Sequence, residues 1–186
     1  TQGKIPVRIT FVTSNEHKAR EAAGILAGLA EVEHIPLEIP ELRHESVTEV
    51  AAGKAAYAYS VLRRPVIADD TGLFIRALNG FPGTCSAYVQ NTLGNNGILA
   101  LMAGYADRSA SFKTGIAYHD ESCQRSFTGS IQGTIVLPRG CNGFGYDPIF
   151  ETGGKTLAEM NMEEKNRCSH RAIGLHALRG WLAGEE

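Results

Sequence analysis

The chain has 186 residues, 43% of them hydrophobic and 20% charged, with a formal net charge of -2. That is the make-up of one globular domain, residues 1–186, able to bury a core without disulfide or metal staples. The near-neutral charge excludes a broad basic face for nucleic acid, and no run reaches the roughly 20 apolar residues of a membrane span.

Val7 to Val12 is β-branched and aromatic and reads as the first strand. Thr13-Ser14-Asn15 then supplies capping side chains for a helix to about Leu29. A short strand is predicted over Val32 to Leu37. Ser46 and Glu49 make an S-x-x-E box opening an Ala-rich helix to about Leu62, which Arg63, Arg64 and Pro65 end. Pro65 to Ala68 reads as a buried strand broken by Asp69-Asp70-Thr71-Gly72, and Asn79 to Gly83 as a turn or loop. A helix is predicted over Asn96 to Ala103. Alternation from Ala110 to Tyr118 and again from Cys123 to Ile135, around Asp120-Glu121, predicts a long hairpin. A Gly-rich loop from Pro138 to Asp147 and a last helix from about His170 to Leu182 complete the pattern. Helices alternating with strands, plus a hairpin, imply an α/β domain with a mixed sheet. Thr1 to Arg8 lacks the apolar centre of a secretory signal. Cys85, Cys123, Cys141 and Cys168 are far apart with no C-x-x-C pair, so reduced thiols in a cytoplasmic protein are expected.

Four short segments carry candidate chemistry. Thr13 to Lys18 places a helix N-terminus, with its free N–H donors, one turn before a lysine, which suits phosphate as well as it suits a simple cap. There is no G-x-x-x-x-G-K-[ST], so this is not a P-loop. Asp69-Asp70 follows an apolar run, where buried acids need partners. The end of such a strand is where ligands collect and carboxylates can hold Mg²⁺, although a D-D-T-G turn is the plainer alternative. Gly143-Phe144-Gly145-Tyr146-Asp147-Pro148 offers aromatic rings and an acid to a base, or else plugs the core. Ser169 can cap the last helix, leaving His170 and Arg171 in its first turn, where cations oppose the dipole unless an anion or base edge binds. Cys168-x-His170 falls short of a zinc site.

Their order along nearly the whole chain resembles the inosine triphosphate pyrophosphatase family. The resemblance runs from T-S-N-x-x-K at Thr13–Lys18 through A-D-D-T-G-L at Ala68–Leu73 and P-G at Pro82–Gly83. It continues through P-R-G at Pro138–Gly140 and G-F-G-Y-D-P-I-F at Gly143–Phe150, then A-E-M, E-K-N and S-H-R ending at Arg171. It implies an elongated mixed sheet flanked by helices, in two lobes with the nucleotide in the cleft between them. The implied activity is Mg²⁺-dependent hydrolysis of ITP, dITP and XTP to monophosphate and pyrophosphate by a homodimer. Residue by residue, Thr13, Ser14, Asn15, Glu16, His17 and Lys18 would grip the triphosphate, with Lys54 adding charge. Glu41, thirteen residues before Lys54, and Asp70 would hold the metal, and Asp70 would also accept a proton. Thr71 would touch the substrate. Phe144, Gly145, Tyr146 and Asp147 would form the base pocket, with Lys165, His170 and Arg171 around base and phosphates. Many members have Gly where this chain has Ser14. The stretch from Glu41 to Ser46 matches least, with Glu45 the fallback ligand. Asp69 is expected to tune Asp70, or to hold metal through water, so that its substitution is mild.

Overall fold

The computed structural model describes residues 7–40 and 42–185. Chain order is β1 (Val7–Val12), α1 (Glu16–Leu26), β2 (Ala30–Ile35), α2 (Val47–Leu62), β3 (Val66–Ile75) and β4 (Pro82–Gly83). Then come α3 (Ser86–Thr92), α4 (Gly94–Leu101), β5 (Ser109–His119), β6 (Gln124–Ile135), β7 (Phe150–Thr152), β8 (Lys155–Thr156), α5 (Met162–Cys168) and α6 (His170–Ala183). One eight-stranded sheet runs in the order β2-β1-β3-β5-β6-β7-β8, with β4 paired to β3. β1 lies parallel to β2 and β3, and the remaining pairs are antiparallel. This is the mixed α/β sheet that the sequence implies.

Side-chain spacing explains the helices. On α1, Ala19, Ala22, Ile25 and Leu26 form the buried stripe, and Asn15 caps the start by accepting from the His17 N–H at 2.9 Å. The helix stops three residues before the expected Leu29, with Gly28 in the left-handed region (φ 84°). Ser46 caps α2 through the Glu49 N–H, and Arg63 ends it with a left-handed φ of 52°.

Three sequence expectations change. The strand expected to break at Asp69 continues through Asp69-Asp70-Thr71-Gly72 to Ile75, because β5 pairs with all ten of its residues. Ladder bonds along β5 outweigh local turn chemistry. The helix expected over Asn96–Ala103 begins at Gly94 and is preceded by α3, which the sequence reading leaves as loop. α5 and the short β7–β8 pair also go unanticipated. Each is too short to show a full apolar period.

The core falls into clusters around the one sheet. Ile9, Phe11, Ile67, Ile116 and Leu175 pack beneath α1 and α6, and Val12, Ala51, Ala55, Val66 and Ala117 beneath α2. A third cluster, with Leu73, Ile75, Ile98, Phe112, Ile149 and Phe150, fills the other end. Two glycines set how close the helices come. A Cβ on Gly115 would strike the backbone of Val47 and Thr48 where α2 begins, and one on Gly129 would strike the His170 carbonyl where α6 begins. Gly115 pairs with Thr128, the neighbour of Gly129, so the two bare positions face opposite sides of the hairpin. The start of each helix thereby lies directly on the sheet. Cys85, Cys123, Cys141 and Cys168 are free thiols. Among the described residues no helix is long and apolar enough to cross a membrane.

Candidate active site

A cavity of about 620 Å³ opens between the two ends of the sheet. Its walls come from the turn after β1, from α2, β3 and α3, and from the loop carrying Phe144 and the start of α6.

The turn after β1 is held by local hydrogen bonds. Thr13 Oγ1 accepts from the Asn15 N–H at 3.1 Å, and His34 Nε2 lies 2.6 Å from the Thr13 carbonyl oxygen. Thr13, Ser14, Asn15 and Lys18 all line the cavity. Glu16 and His17 do not. Glu16 is exposed and pairs with Arg20 at 3.1 Å, since the first helical turn carries it round to solvent. His17 instead stacks on Phe144, ring centroids 5.6 Å apart, which puts it beside the base loop rather than with a phosphate.

Extended geometry sends Asp69 and Asp70 to different partners. Asp69 Oδ2 meets Lys18 Nζ at 2.8 Å and Arg171 Nε at 3.3 Å. Burial opposes ionisation of Asp69, but Lys18 and Arg171 overcome it and hold the carboxyl at about 2. Lys18 itself is pulled below the ordinary lysine value by burial, with Asp69 pulling the other way. Asp70 Oδ1 meets Lys54 Nζ at 2.6 Å, while Oδ2 is buried with no partner. Burial raises the Asp70 pKa, and Lys54 only moderates the rise. Thr71 Oγ1 bonds Thr114 Oγ1 at 2.9 Å and faces Arg171 Nη2 at 3.4 Å.

At the other end, Phe144 sits between Gly143 (φ 77°) and Gly145 (φ 62°), a backbone that side chains rarely tolerate. Asp147 Oδ2 accepts from the Phe144 N–H at 2.8 Å and from Lys165 Nζ at 2.7 Å. Lys165 Nζ and Arg171 Cζ lie 5.1 and 5.6 Å from the Phe144 ring centre. Lys165 itself is behind the wall rather than on it, because its ammonium is committed to Asp147. Tyr146 lines the cavity, but its hydroxyl donates to the Ser86 carbonyl at 2.8 Å. His170 stacks on Phe112 at 4.5 Å and 8°, and its Nδ1 is buried without a partner. Burial, with Arg171, Lys165 and Lys18 nearby, drives its pKa well below the usual value, so the ring is neutral.

Several residues here escape the sequence reading. Glu21 is buried, accepting from Arg171 Nη1 at 2.9 Å and from Ser169 Oγ at 2.9 Å. A lone acid on the apolar stripe of α1 is the signal that marks it. Glu38, Ser86, Gln90 and Asn91 also line the cavity and carry no such signal.

A hard cation fits the donor set at Asp70. Mg²⁺ takes one or two carboxylates plus phosphate oxygens and water, and the unpartnered Asp70 Oδ2 is such a donor. Among the described residues no group of three or more His, Cys, Asp or Glu side chains is placed to hold a metal. Glu41 lies outside the described residues. Glu45 is exposed and away from the cavity.

The sequence model of the Ham1 family matches residues 9–181. A dITP/XTP pyrophosphatase of Methanopyrus kandleri is 46% identical over 180 residues, covering 94% of this chain and 96% of that protein. An inosine triphosphate pyrophosphatase of Aspergillus fumigatus is 39% identical over 178 residues, covering 95% of each. Among solved structures, a HAM1 protein from Coxiella burnetii superposes with a TM-score of 0.84 at 34% identity, covering 96% of this chain and 99% of that one.

Proposed function

The chain belongs to the Ham1 family, and from that premise we propose that it hydrolyses the non-standard purine nucleotides ITP, dITP and XTP. The products are the nucleoside monophosphate and pyrophosphate, the reaction needs Mg²⁺, and the effect is to cleanse the nucleotide pool. One observation carries the reading. A single cavity has the Thr13–Asn15 turn with Lys18 and Lys54 at one end, an aromatic and neutral-imidazole wall at the other, and the unpartnered carboxylate oxygen of Asp70 in reach.

The charge balance supports a metal. The site's cations Lys18, Lys54, Lys165 and Arg171 are already matched by Asp69, Asp70, Asp147 and Glu21. A triphosphate therefore needs charge compensation beyond what these side chains offer. Mg²⁺ would be held by Asp70, with Glu41 as the second ligand that the family resemblance implies, and when bound would supply that compensation and acidify water. The Thr13–Asn15 turn and Lys18 hold the phosphate chain. Asp70, whose Oδ2 has no protein partner, takes the proton from a water as the water oxygen bonds to the α-phosphorus. The bond from that phosphorus to the bridging oxygen breaks and pyrophosphate leaves, with Lys54 beside Asp70 offsetting the charge that develops.

Base choice follows from donors. A 6-oxo group accepts hydrogen bonds from donors in the pocket, and adenine's 6-amino group opposes them. Unpaired buried donors of this kind support discrimination of about 10² or more in kcat/KM for ITP over ATP. A homodimer belongs to the same reading, supported by the exposed Phe81, Tyr88, Leu93, Leu101 and Tyr105 along one stretch of chain, as does a place in the cytoplasm, supported by four free thiols. The test is to incubate the protein with ITP and Mg²⁺ and follow products. IMP and pyrophosphate are expected, with orthophosphate appearing only after inorganic pyrophosphatase is added. Accumulation of IDP with direct orthophosphate release, or equal rates on ATP, overturns the reading.

A further inference from the structure

The loop that carries Phe144 is also held from the α3 wall of the cavity and from α4. Gln90 Nε2 on α3 and Asn95 Nδ2 on α4 both donate to the Gly145 carbonyl oxygen, at 3.3 and 3.1 Å. One carbonyl has two lone pairs, so the two amides saturate it. Their orientation is fixed by that acceptor, since turning either amide over would set oxygen against oxygen. Each therefore leaves its own oxygen, Gln90 Oε1 and Asn95 Oδ1, buried with no partner. Two unpaired buried acceptors cost stability, so the clamp exists at the expense of the fold.

What the clamp fixes is the seat of Phe144. Gly145 has no Cβ and a φ of 62°, and a Cβ there would meet nothing within 4 Å. No side-chain packing restrains this residue, and its carbonyl is held by the two amides. The neighbouring residues are anchored elsewhere, Tyr146 to Ser86 and Asp147 to Lys165. A peptide's C=O and N–H point in opposite directions, so pinning the Gly145 carbonyl toward α3 and α4 turns the Tyr146 N–H away from them. Phe144 is the residue just before this carbonyl; Asp147 holds its N–H and its carbonyl oxygen, and its ring lies near Arg171 and Lys165.

We propose that Gln90 and Asn95 are positioning residues for recognition of the purine base, acting through the Gly145 carbonyl to fix the Phe144 platform. The proposal rests on the cavity binding a purine nucleotide, as the proposed function has it. The variants Gln90→Met and Asn95→Leu keep side-chain size, add no charge and remove the two orphaned oxygens along with the donors. The fold is therefore spared, while the Gly145 carbonyl is released. The full chain and the single and double variants are assayed with ITP and with ATP in Mg²⁺, alongside calorimetric binding of IMP and thermal melts.

The double variant is expected to raise KM for ITP and weaken IMP binding about tenfold, the size of effect that follows loss of a buried hydrogen bond. Its kcat should stay within about threefold, because no group that touches the phosphates has changed. The ITP preference over ATP should fall, and the melting temperature should hold. Unchanged KM and IMP affinity overturns the proposal, as does an equal loss on ITP and ATP, which marks a merely structural role. If the unaltered protein releases no pyrophosphate from ITP, the functional reading fails separately. The IMP arm then decides the clamp: weaker binding by the variants supports it, and equal or absent binding in all forms overturns it.

Discussion

Successive side chains of an extended strand leave on opposite sides, so Asp69 faces Lys18 and Arg171 while Asp70 faces Lys54. Asp70→Asn keeps the size of the side chain and removes the proton acceptor. We expect turnover to drop by about 10²–10⁴ with little change in melting temperature, read by pyrophosphate release and calorimetry; a near-normal kcat would remove Asp70 from the chemistry. Sequence alone expects Asp69→Asn to be the milder variant in turnover; for stability the geometry makes it the costlier of the two. Without Asp69 two buried cations lose their shared partner, and breaking a buried pair costs about 3–5 kcal/mol. The same contacts fix a pH dependence. The Asp69 carboxyl titrates at about 2 in the fold against 3.8 when free, because Lys18 and Arg171 outweigh its burial. A depressed acid pKa gives stability that is complete above the free value and lost as pH falls from 3.8 through about 2. Melts across that window should show a steeper loss in the unaltered protein than in Asp69→Asn. Asp120, held to about 2 against its burial by the Tyr118 hydroxyl and Ser122, titrates in both and cancels in the comparison. The acids themselves were legible in the sequence, as a charged pair after an apolar run. Their partners were not, because Lys18 and Arg171 are brought to Asp69 only by the packing of α1 and α6.

Elements were legible where a period could develop. The long hairpin of β5 and β6 shows its alternation over eleven and twelve residues, and α2 announces itself with the Ser46 cap. α3 and α5, seven residues each, show none. The D-D-T-G run reads as a turn only when β5 is out of view. The start of α6 makes the same point in energetic terms. Ser169 Oγ accepts from the Ala172 N–H at 3.1 Å, as a cap should, and also donates to the buried Glu21 at 2.9 Å. Ser169→Ala loses the cap, worth about 1 kcal/mol, and leaves a carboxylate oxygen short of a donor, worth about 1–3 kcal/mol more. The sum, about 2–4 kcal/mol, should lower the melting temperature by roughly 4–16 °C for a chain of this size. A drop under about 2 °C in calorimetry would show that the Glu21 contact contributes nothing to stability.

At the scale of the whole molecule, the two ends of the sheet share strands. β3 reaches from the cluster under α1 and α6, through Ile67, to the cluster at the far end, through Leu73 and Ile75. The cavity lies between those clusters with no linker to act as a hinge. That two-ended design was legible only through the family resemblance, since nothing in composition or periodicity tells one core from two. The α3 wall of the cavity was not legible by either route, because Gln90 and Asn91 look like any exposed helix polar residues until α3 is docked. The chain's one tryptophan follows from the same division. Trp181 packs edge-on to Tyr118 at 5.0 Å and beside Phe127 at 5.9 Å, with Arg125 over its ring, within the α1–α6 cluster and off the cavity wall. Its fluorescence is therefore a built-in spectroscopic label for one core alone. Emission should shift to the red on denaturation of the α6 side yet stay constant through an ITP titration, so that folding and occupancy can be read in one cuvette without interfering.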